Sequence, residues 1–368
     1  MTHIFNALSP AQINALAAVK HWLEHDTATK PIFTLFGYAG TGKSTLAAHV
    51  AELLNGNVVF LTYTGKAASV LRQKGCDTAQ TLHSALYRPI DDETQGLRFV
   101  RNDASDIVGS ALVVIDECSM VDDVLLRDLR SFGVPILAMG DPGQLPPVKG
   151  VGVLRSVTPD VFLTEIHRQA AGNPVLQLAD MARRGAPLSL GQYGSSRVIS
   201  QGDLTMETLL EADQIIVGTN DLRHQVNASV RERLGRSGDM PVDGDRLVCL
   251  KNHGDLGISN GELFVACGTP VVQGDTATFH IRPEDGMDQP FEVTISISQF
   301  LSGKTSSEGG RKQKPQFDFG YAITCHKAQG SQWNNVLVID QSVIMRENAN
   351  AWLYTAITRA ANSVIVAI

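Results

Sequence analysis

The sequence predicts an α/β chain of two parallel-sheet units, with a small hairpin inserted in the first and a small β-barrel in the second. Three observations carry this. Continuous apolar runs at 31–36, 58–64, 111–117 and 134–141 end at polar or glycine residues and are separated by helical stretches. Strands of that kind lie in a parallel sheet covered on both faces. A second series begins at 162–169 and resumes at 214–220, 317–324, 334–340 and 363–368. Between its halves the texture changes to short alternating strands with glycine-rich turns, at 246–251, 262–267, 277–283 and 291–298, the pattern of an inserted barrel. The divisions are therefore 1–84 with 106–160, the hairpin 85–105, 161–243 with 317–368, and the barrel 244–316.

Composition sets the outer limits. The 368 residues suffice for two domains, and 43% hydrophobic with 19% charged residues is ordinary for a globular protein. No apolar stretch approaches a membrane span, and MTHIFNALSP lacks the basic-then-apolar pattern of a secretion signal. Five cysteines form no C-x-x-C pair, which argues for reduced thiols, no zinc site and a cytoplasmic chain. A net charge of −7 does not exclude nucleic acid, because a local basic channel sets phosphate attraction.

Residues 37–44, GYAGTGKS, fit G-x-x-x-x-G-K-[ST] between a strand (31–36) and a helix (45–54). Gly37, Gly40 and Gly42 let backbone N–H groups turn inward on phosphate oxygens, and the helix start adds its positive dipole end. Lys43 is expected on the β- and γ-phosphates and Ser44 on Mg²⁺, so the chain is expected to bind a nucleoside triphosphate.

Ligands of doubly covered parallel sheets collect beyond the carboxyl ends of the strands. Asp116 ends one strand, where it is placed to hold Mg²⁺ with Ser44; Glu117 follows and can orient and deprotonate water. The next strand ends in GDPGQLPPV, where Gln144 is the one uncharged side chain that both donates and accepts, suited to sensing a γ-phosphate or positioning water. Phosphoryl transfer also needs cations against developing charge, and Arg168 in EIHRQ and Arg359 in LYTAITRA qualify, although each also reads as a surface ion-pair residue.

Together these segments resemble superfamily 1 helicases, within them the RecD/Dda-like group that moves 5′ to 3′ on single-stranded DNA. LSPAQ (8–12) is similar to the Q-motif, GYAGTGKST to motif I, LTYTGKAA (61–68) to motif Ia, and TLHSALY (81–87) to the segment after it. VVIDECSMVD (113–122), GDPGQLPPV, LTEIHRQ, ITCHKAQGSQWNNVLV (323–338) and LYTAITRA are similar to motifs II, III, IV, V and VI. The resemblance implies two RecA-like P-loop domains with ATP and Mg²⁺ between them, a strand-separating hairpin and an SH3-like barrel. It places nucleotide binding at Gln12 (against adenine), Gly37, Ala39, Gly40, Thr41, Gly42, Lys43, Ser44, Thr45 and Gly330. It also implies single-stranded DNA and single-strand/duplex junctions as partners, a single-strand-binding or replication protein as a candidate partner, and a monomer. Two features depart from the family: the hairpin and barrel are small, and the hairpin tip (Asp91, Asp92, Glu93) is acidic, with Phe99 on the return strand open to a core reading.

A translocase holds the sugar-phosphate backbone without reading sequence, so hydroxyls, amides and a few cations suit it. Thr64, Lys66, Thr81, His83, Asn220, Thr324, His326 and Lys327 are the candidates, with His83 and His326 equally readable as interior histidines. Arg311, Lys312 and Lys314 read better as a solvated loop. An RNA-directed superfamily 1 helicase and a non-motor, nucleotide-gated binding protein are the alternatives.

Overall fold

The computed structural model describes residues 8–54, 56–92, 96–146, 152, 157–164, 172–284, 289–303 and 314–368. Helix α1 (Pro10–His25) starts at a capping box in which Ser9 and Gln12 exchange side-chain to backbone hydrogen bonds. Strand β1 (Ile32–Gly37) leads through the glycine-rich loop into α2 (Lys43–Glu52); β2 (Val58–Thr62), α3 (Gly65–Gln73), β3 (Gln80–Thr81) and α4 (Leu82–Leu86) follow. A hairpin of β4 (Tyr87–Asp92) and β5 (Gly96–Arg101) then precedes β6 (Leu112–Ile115), α5 (Asp123–Arg130), β7 (Ile136–Gly140) and β8 (Val161–Leu163). The first sheet runs β3-β2-β6-β7-β1-β8, all parallel. Successive residues of β2 face opposite sides: Phe60 packs with α1 and α2, while Val59 and Leu61 pack with α4 and α5.

The second unit contains α6 (Pro174–Arg183), β9 (Gly191–Tyr193), β10 (Ser196–Ile199), α7 (Met206–Glu211), β11 (Gln214–Val217) and α8 (Asn220–Arg233). The chain leaves it through β12 (Arg246–Cys249), β13 (Leu263–Gln273), β14 (Thr276–Pro283), β15 (Phe291–Ser296), α9 (Ile297–Ser302) and β16 (Phe317–Phe319). It returns with β17 (Ala322–Thr324), α10 (Cys325–Ala328), β18 (Trp333–Ile339), α11 (Ala349–Ile357) and β19 (Ala360–Ala367). The second sheet, β17-β11-β18-β19-β10-β9, is parallel except for the β9–β10 edge pair. The insertion is an antiparallel sheet ordered β15-β14-β13-β12-β16 around Phe264, Phe279, Ile281 and Phe317. Two buried ion pairs tie it to α8: Arg231 with Asp245 at 3.0 Å and Arg223 with Asp318 at 2.7 Å.

Three expectations need correction. Residues 161–163, expected in the second unit, form β8, which pairs with β1, and Asp160 ahead of it accepts from Thr34 N and Oγ1. The run 317–324, expected as one strand, is two: its first half pairs with β12 and its second half with β11, the chain turning at Gly320. There a Cβ would lie 3.0 Å from Leu247 and Leu263 atoms, so the turn has room only for glycine. Ala85 and Leu86, expected to open the hairpin, are helical and buried in the first core, so the hairpin begins at Tyr87. Phe99, paired across from Pro89, is 67% exposed and is not core. The tip residues 93–95 lie outside the described residues.

All five cysteines are unpaired, and Cys76, Cys118, Cys249 and Cys325 are buried. Burial pushes the thiols of Cys76, Cys249 and Cys325 up to about 11, 12 and 12. Among the described residues no helix is long and apolar enough to cross a membrane.

Candidate active site and nucleic-acid interface

The glycine-rich loop follows a strand buried over five of its six residues. Gly40 and Gly42 take φ of 79° and 77°, where a side chain is strained, and Gly42 starts α2 without any side-chain cap. The first-turn N–H groups of α2 are thus left for an anion. Gly37 serves a different need: a Cβ there would sit 2.9 Å from Leu163 Cβ, so glycine lets β8 pass. Lys43 Nζ donates to the carbonyls of Gly37 and Tyr38 at 2.7 and 2.9 Å, and Thr41 Oγ1 donates to Tyr38 O at 2.8 Å. Gln12, expected against adenine, is buried and donates from Nε2 to Thr41 O at 3.1 Å, bracing the loop backbone. Thr45 is exposed on the first turn of α2.

Ser44 Oγ donates to Asp116 Oδ2 at 3.1 Å, so the two expected Mg²⁺ ligands meet. This hydroxyl and carboxylate are hard oxygen donors of the kind Mg²⁺ takes. Burial, then the neighbouring Glu117, raises the Asp116 pKa against the opposing effect of Lys43. Glu117 has φ 56° and ψ 43°, a left-handed conformation costing about 1 kcal/mol or more in a non-glycine residue. Such strain turns its carboxylate away from the strand direction and toward Gln144, whose Nε2 lies 3.5 Å from Glu117 Oε1. Among the described residues the buried Oε1 atom of Gln144 has no hydrogen-bond partner, which leaves it an acceptor for a water or hydroxyl at the cleft.

The second unit closes on this loop through α11. Tyr354 Oη accepts from Ala39 N at 2.8 Å and donates to Asp141 Oδ2 at 2.5 Å. Thr355 Oγ1 accepts from Leu145 N at 2.9 Å, and Gln329 Nε2 donates to Leu145 O at 3.0 Å. Leu145 itself packs into the second unit's core. The Arg183 guanidinium lies 3.9 Å from the Tyr38 ring centre. Arg359, just past the end of α11, is buried and donates to Thr355 O (3.1 Å), Ser331 O (3.2 Å) and Thr358 Oγ1 (3.2 Å). All three acceptors are neutral, and among the described residues no carboxylate pairs with it. Arg168 lies outside the described residues.

The nucleic-acid candidates lie at the carboxyl ends of parallel strands. Thr64 follows β2 and caps α3, and Thr81 ends β3 and caps α4; their hydroxyls accept from Ala67 N and Ser84 N. His83 is exposed beside the rings of Tyr63 and Tyr87, where desolvation lowers its pKa. Asn220 is exposed at the start of α8, and Thr324 precedes α10 without a capping bond. His326 is half-buried, with its pKa lowered by that burial. Lys66 stands 5.9 Å over the Trp333 ring. Lys327 Nζ donates to Asn260 Oδ1 at 2.7 Å, and burial lowers its pKa to about 8. Gly330, expected at the nucleotide, lies against α3: a Cβ on it would be 2.7 Å from Thr64 Oγ1 and 3.0 Å from Ala67 Cβ. That position belongs to the contact between the units. Lys314 is half-buried, while Arg311 and Lys312 lie outside the described residues.

Sequence reasoning missed Tyr354, Asp141 and Thr355. The available signal was a tyrosine and a threonine on the otherwise apolar segment that carries Arg359.

Residues 8–204, more than half of the chain, match the AAA domain. The chain belongs to the AAA domain family. Residues 319–367 of this AAA-family chain match the UvrD-like helicase C-terminal domain. It is 31% identical over 345 residues to the ATP-dependent RecD2 DNA helicase of Deinococcus radiodurans, covering 89% of this chain and 46% of that protein. It is 28% identical over 197 residues to the ATP-dependent DNA helicase dda of Enterobacteria phage T4, covering 49% of this chain and 44% of that one. The chain thus spans under half the length of these two relatives. Its fold is similar to Bacteroides Pif1 helicase in complex with ADP-AlF3 and single-stranded DNA, with a TM-score of 0.59, 18% identity, and coverage of 98% of this chain and 92% of that one. The mixed α/β fold with its parallel sheets is similar to the RecA-like core of that structure.

Proposed function

We propose that the chain is a DNA-dependent ATPase that translocates 5′ to 3′ on single-stranded DNA and separates strands at junctions. The observation that carries this is the double attachment of α11 to the phosphate loop and the Gln144 loop, because it brings the helix leading to Arg359 onto the nucleotide cleft. The likeness to the RecD2 and Dda DNA helicases and to Pif1 bound to single-stranded DNA supports a DNA substrate, and the direction rests on the motif resemblance alone.

In this reading the uncapped start of α2 and Lys43 bind the phosphates, and Ser44 with Asp116 would hold a Mg²⁺ ion, which would supply positive charge against the transferred phosphoryl group. Glu117 takes the proton of the attacking water, and Gln144 orients that water through its unpartnered carbonyl. Arg359 faces the charge that develops on transfer; its partners among the described residues are all neutral. Arg168 is the second candidate cation. Thr64, Lys66, Thr81, His83, Asn220, Thr324, His326 and Lys327 track the strand, the insertion acts as an SH3-like module, and Phe99 gives the hairpin an exposed apolar face at a junction.

ATP hydrolysis measured with and without an oligo-dT tests the assignment. Turnover should rise strongly with DNA, and Lys43→Ala should abolish it while retaining DNA binding. Equal rates with and without DNA would remove the motor reading. Duplexes with a 5′ or a 3′ single-stranded tail decide direction: unwinding from the 3′ tail alone would reverse it.

A further inference from the structure

A single oxygen atom holds two segments of the first unit to the second. Tyr354 is 2% exposed, and its hydroxyl accepts from the amide of Ala39, between Gly37 and Gly40, while donating to the carboxylate of Asp141. Asp141 is 1% exposed, and its other oxygen accepts from Gly143 N at 2.9 Å at the head of the Gln144 loop. A Cβ on Gly143 would be 3.1 Å from Tyr354 Cε1, so glycine lets the loop lie against the ring.

We propose that Tyr354 is a positioning residue that sets Arg359 against the nucleotide cleft by registering the phosphate loop and the Gln144 loop together. The chemistry needs a group that accepts from an amide and donates to a carboxylate at once, which a phenol does and a benzyl side chain does not. The register then passes along α11: Thr355 holds Leu145 N, and Arg359 Nε bonds the carbonyl of that same Thr355. A shift of the phosphate loop is thereby transmitted to the guanidinium through one turn of helix. Without the hydroxyl, a buried carboxylate and a buried amide each lose a partner, and α11 loses its hydrogen bond to the phosphate loop while keeping the one from Leu145 to Thr355.

The inference rests on the cleft being an ATP site, so the parent must first show DNA-stimulated turnover that Lys43→Ala abolishes; failure at that point concerns the function rather than Tyr354. In the same assay Tyr354→Phe is expected to lower kcat about tenfold or more, since displacing a reacting group by about 1 Å costs up to about 100-fold. KM for ATP should stay within about threefold, because the phosphate-binding groups remain. Combining it with Asp141→Asn should add little to the larger single loss, as expected for residues acting through one contact. A kcat within about twofold of the parent, a loss confined to KM, or losses that multiply in the double variant would each overturn the proposal. A Tyr354→Phe chain that fails to fold would overturn it as well, by making the hydroxyl a structural support.

Discussion

Replacing Arg359 by alanine separates stability from chemistry more sharply than any other change at this cleft. The guanidinium is buried and gives three hydrogen bonds to neutral acceptors. At about 1 kcal/mol each, their loss would cost about 3 kcal/mol. Against this, a buried charge with no carboxylate partner among the described residues carries a desolvation penalty of several kcal/mol, which the substitution relieves. The two effects offset, so Arg359→Ala should leave unfolding free energy within about 2 kcal/mol of the parent. Its chemical effect has no such offset. A cation against the developing charge is worth roughly 10³–10⁵ in rate, so DNA-stimulated kcat should fall by at least about 1,000-fold. Arg359→Lys should recover little, because the Thr355, Ser331 and Thr358 acceptors suit a planar fork rather than a single ammonium. The assays are urea unfolding and steady-state ATP hydrolysis at saturating oligo-dT. A kcat within about tenfold of the parent at unchanged stability would refute the assignment of Arg359 to the transition state.

Two further outcomes follow from the charges at the strand ends. Asp116 has a pKa raised above its unfolded value by burial, then by Glu117. It therefore lowers stability at neutral pH, and this deficit disappears as pH falls through the folded pKa. Asp116→Asn should raise the melting midpoint of the nucleotide-free chain while removing the extra stabilisation by Mg²⁺–ATP, both read by thermal melts. Lys327, with a folded pKa of about 8, releases its proton in the folded state before the unfolded one. Stability gains from this group as pH rises through about 8 toward 10.5, whereas its attraction for phosphate is lost. Oligo-dT affinity, read by fluorescence anisotropy, should weaken from about pH 7 to pH 9 and flatten in Lys327→Arg, whose charge persists.

Much of the architecture was legible because buried parallel strands advertise themselves. The runs at 112–115 and 136–140 are apolar on both faces, and Asp116 follows the first, so both strands and that one functional end stand out, whereas Asp141 at the end of the second did not. β8 did not, since three residues carry no period that distinguishes one sheet from another; its membership is decided by Asp160 accepting from Thr34, 126 positions away. The run 317–324 misled for the opposite reason. Its apolar character continues through a turn at Gly320 that hands the chain from an antiparallel sheet to a parallel one. At the cleft, the phosphate loop, Asp116 and Gln144 were readable from local spacing. Tyr354 was not, because its partners lie 315 and 213 residues away and nothing in its own neighbourhood requires a hydroxyl. The packing of Gly330 against Thr64 carried no local signal, because the two residues meet only across the contact between the units.

The insulated thiols make the native chain a convenient host for optical labels. With pKa values of about 11 to 12, Cys76, Cys249 and Cys325 present roughly one reactive thiolate in 10⁴ or fewer at neutral pH. Cys118 is shifted in the same direction. Only the half-buried Cys267 needs replacing. Dyes attached at Lys20→Cys on α1 and Glu232→Cys on α8, both exposed, would therefore report the separation of the two lobes during turnover without a cysteine-free background.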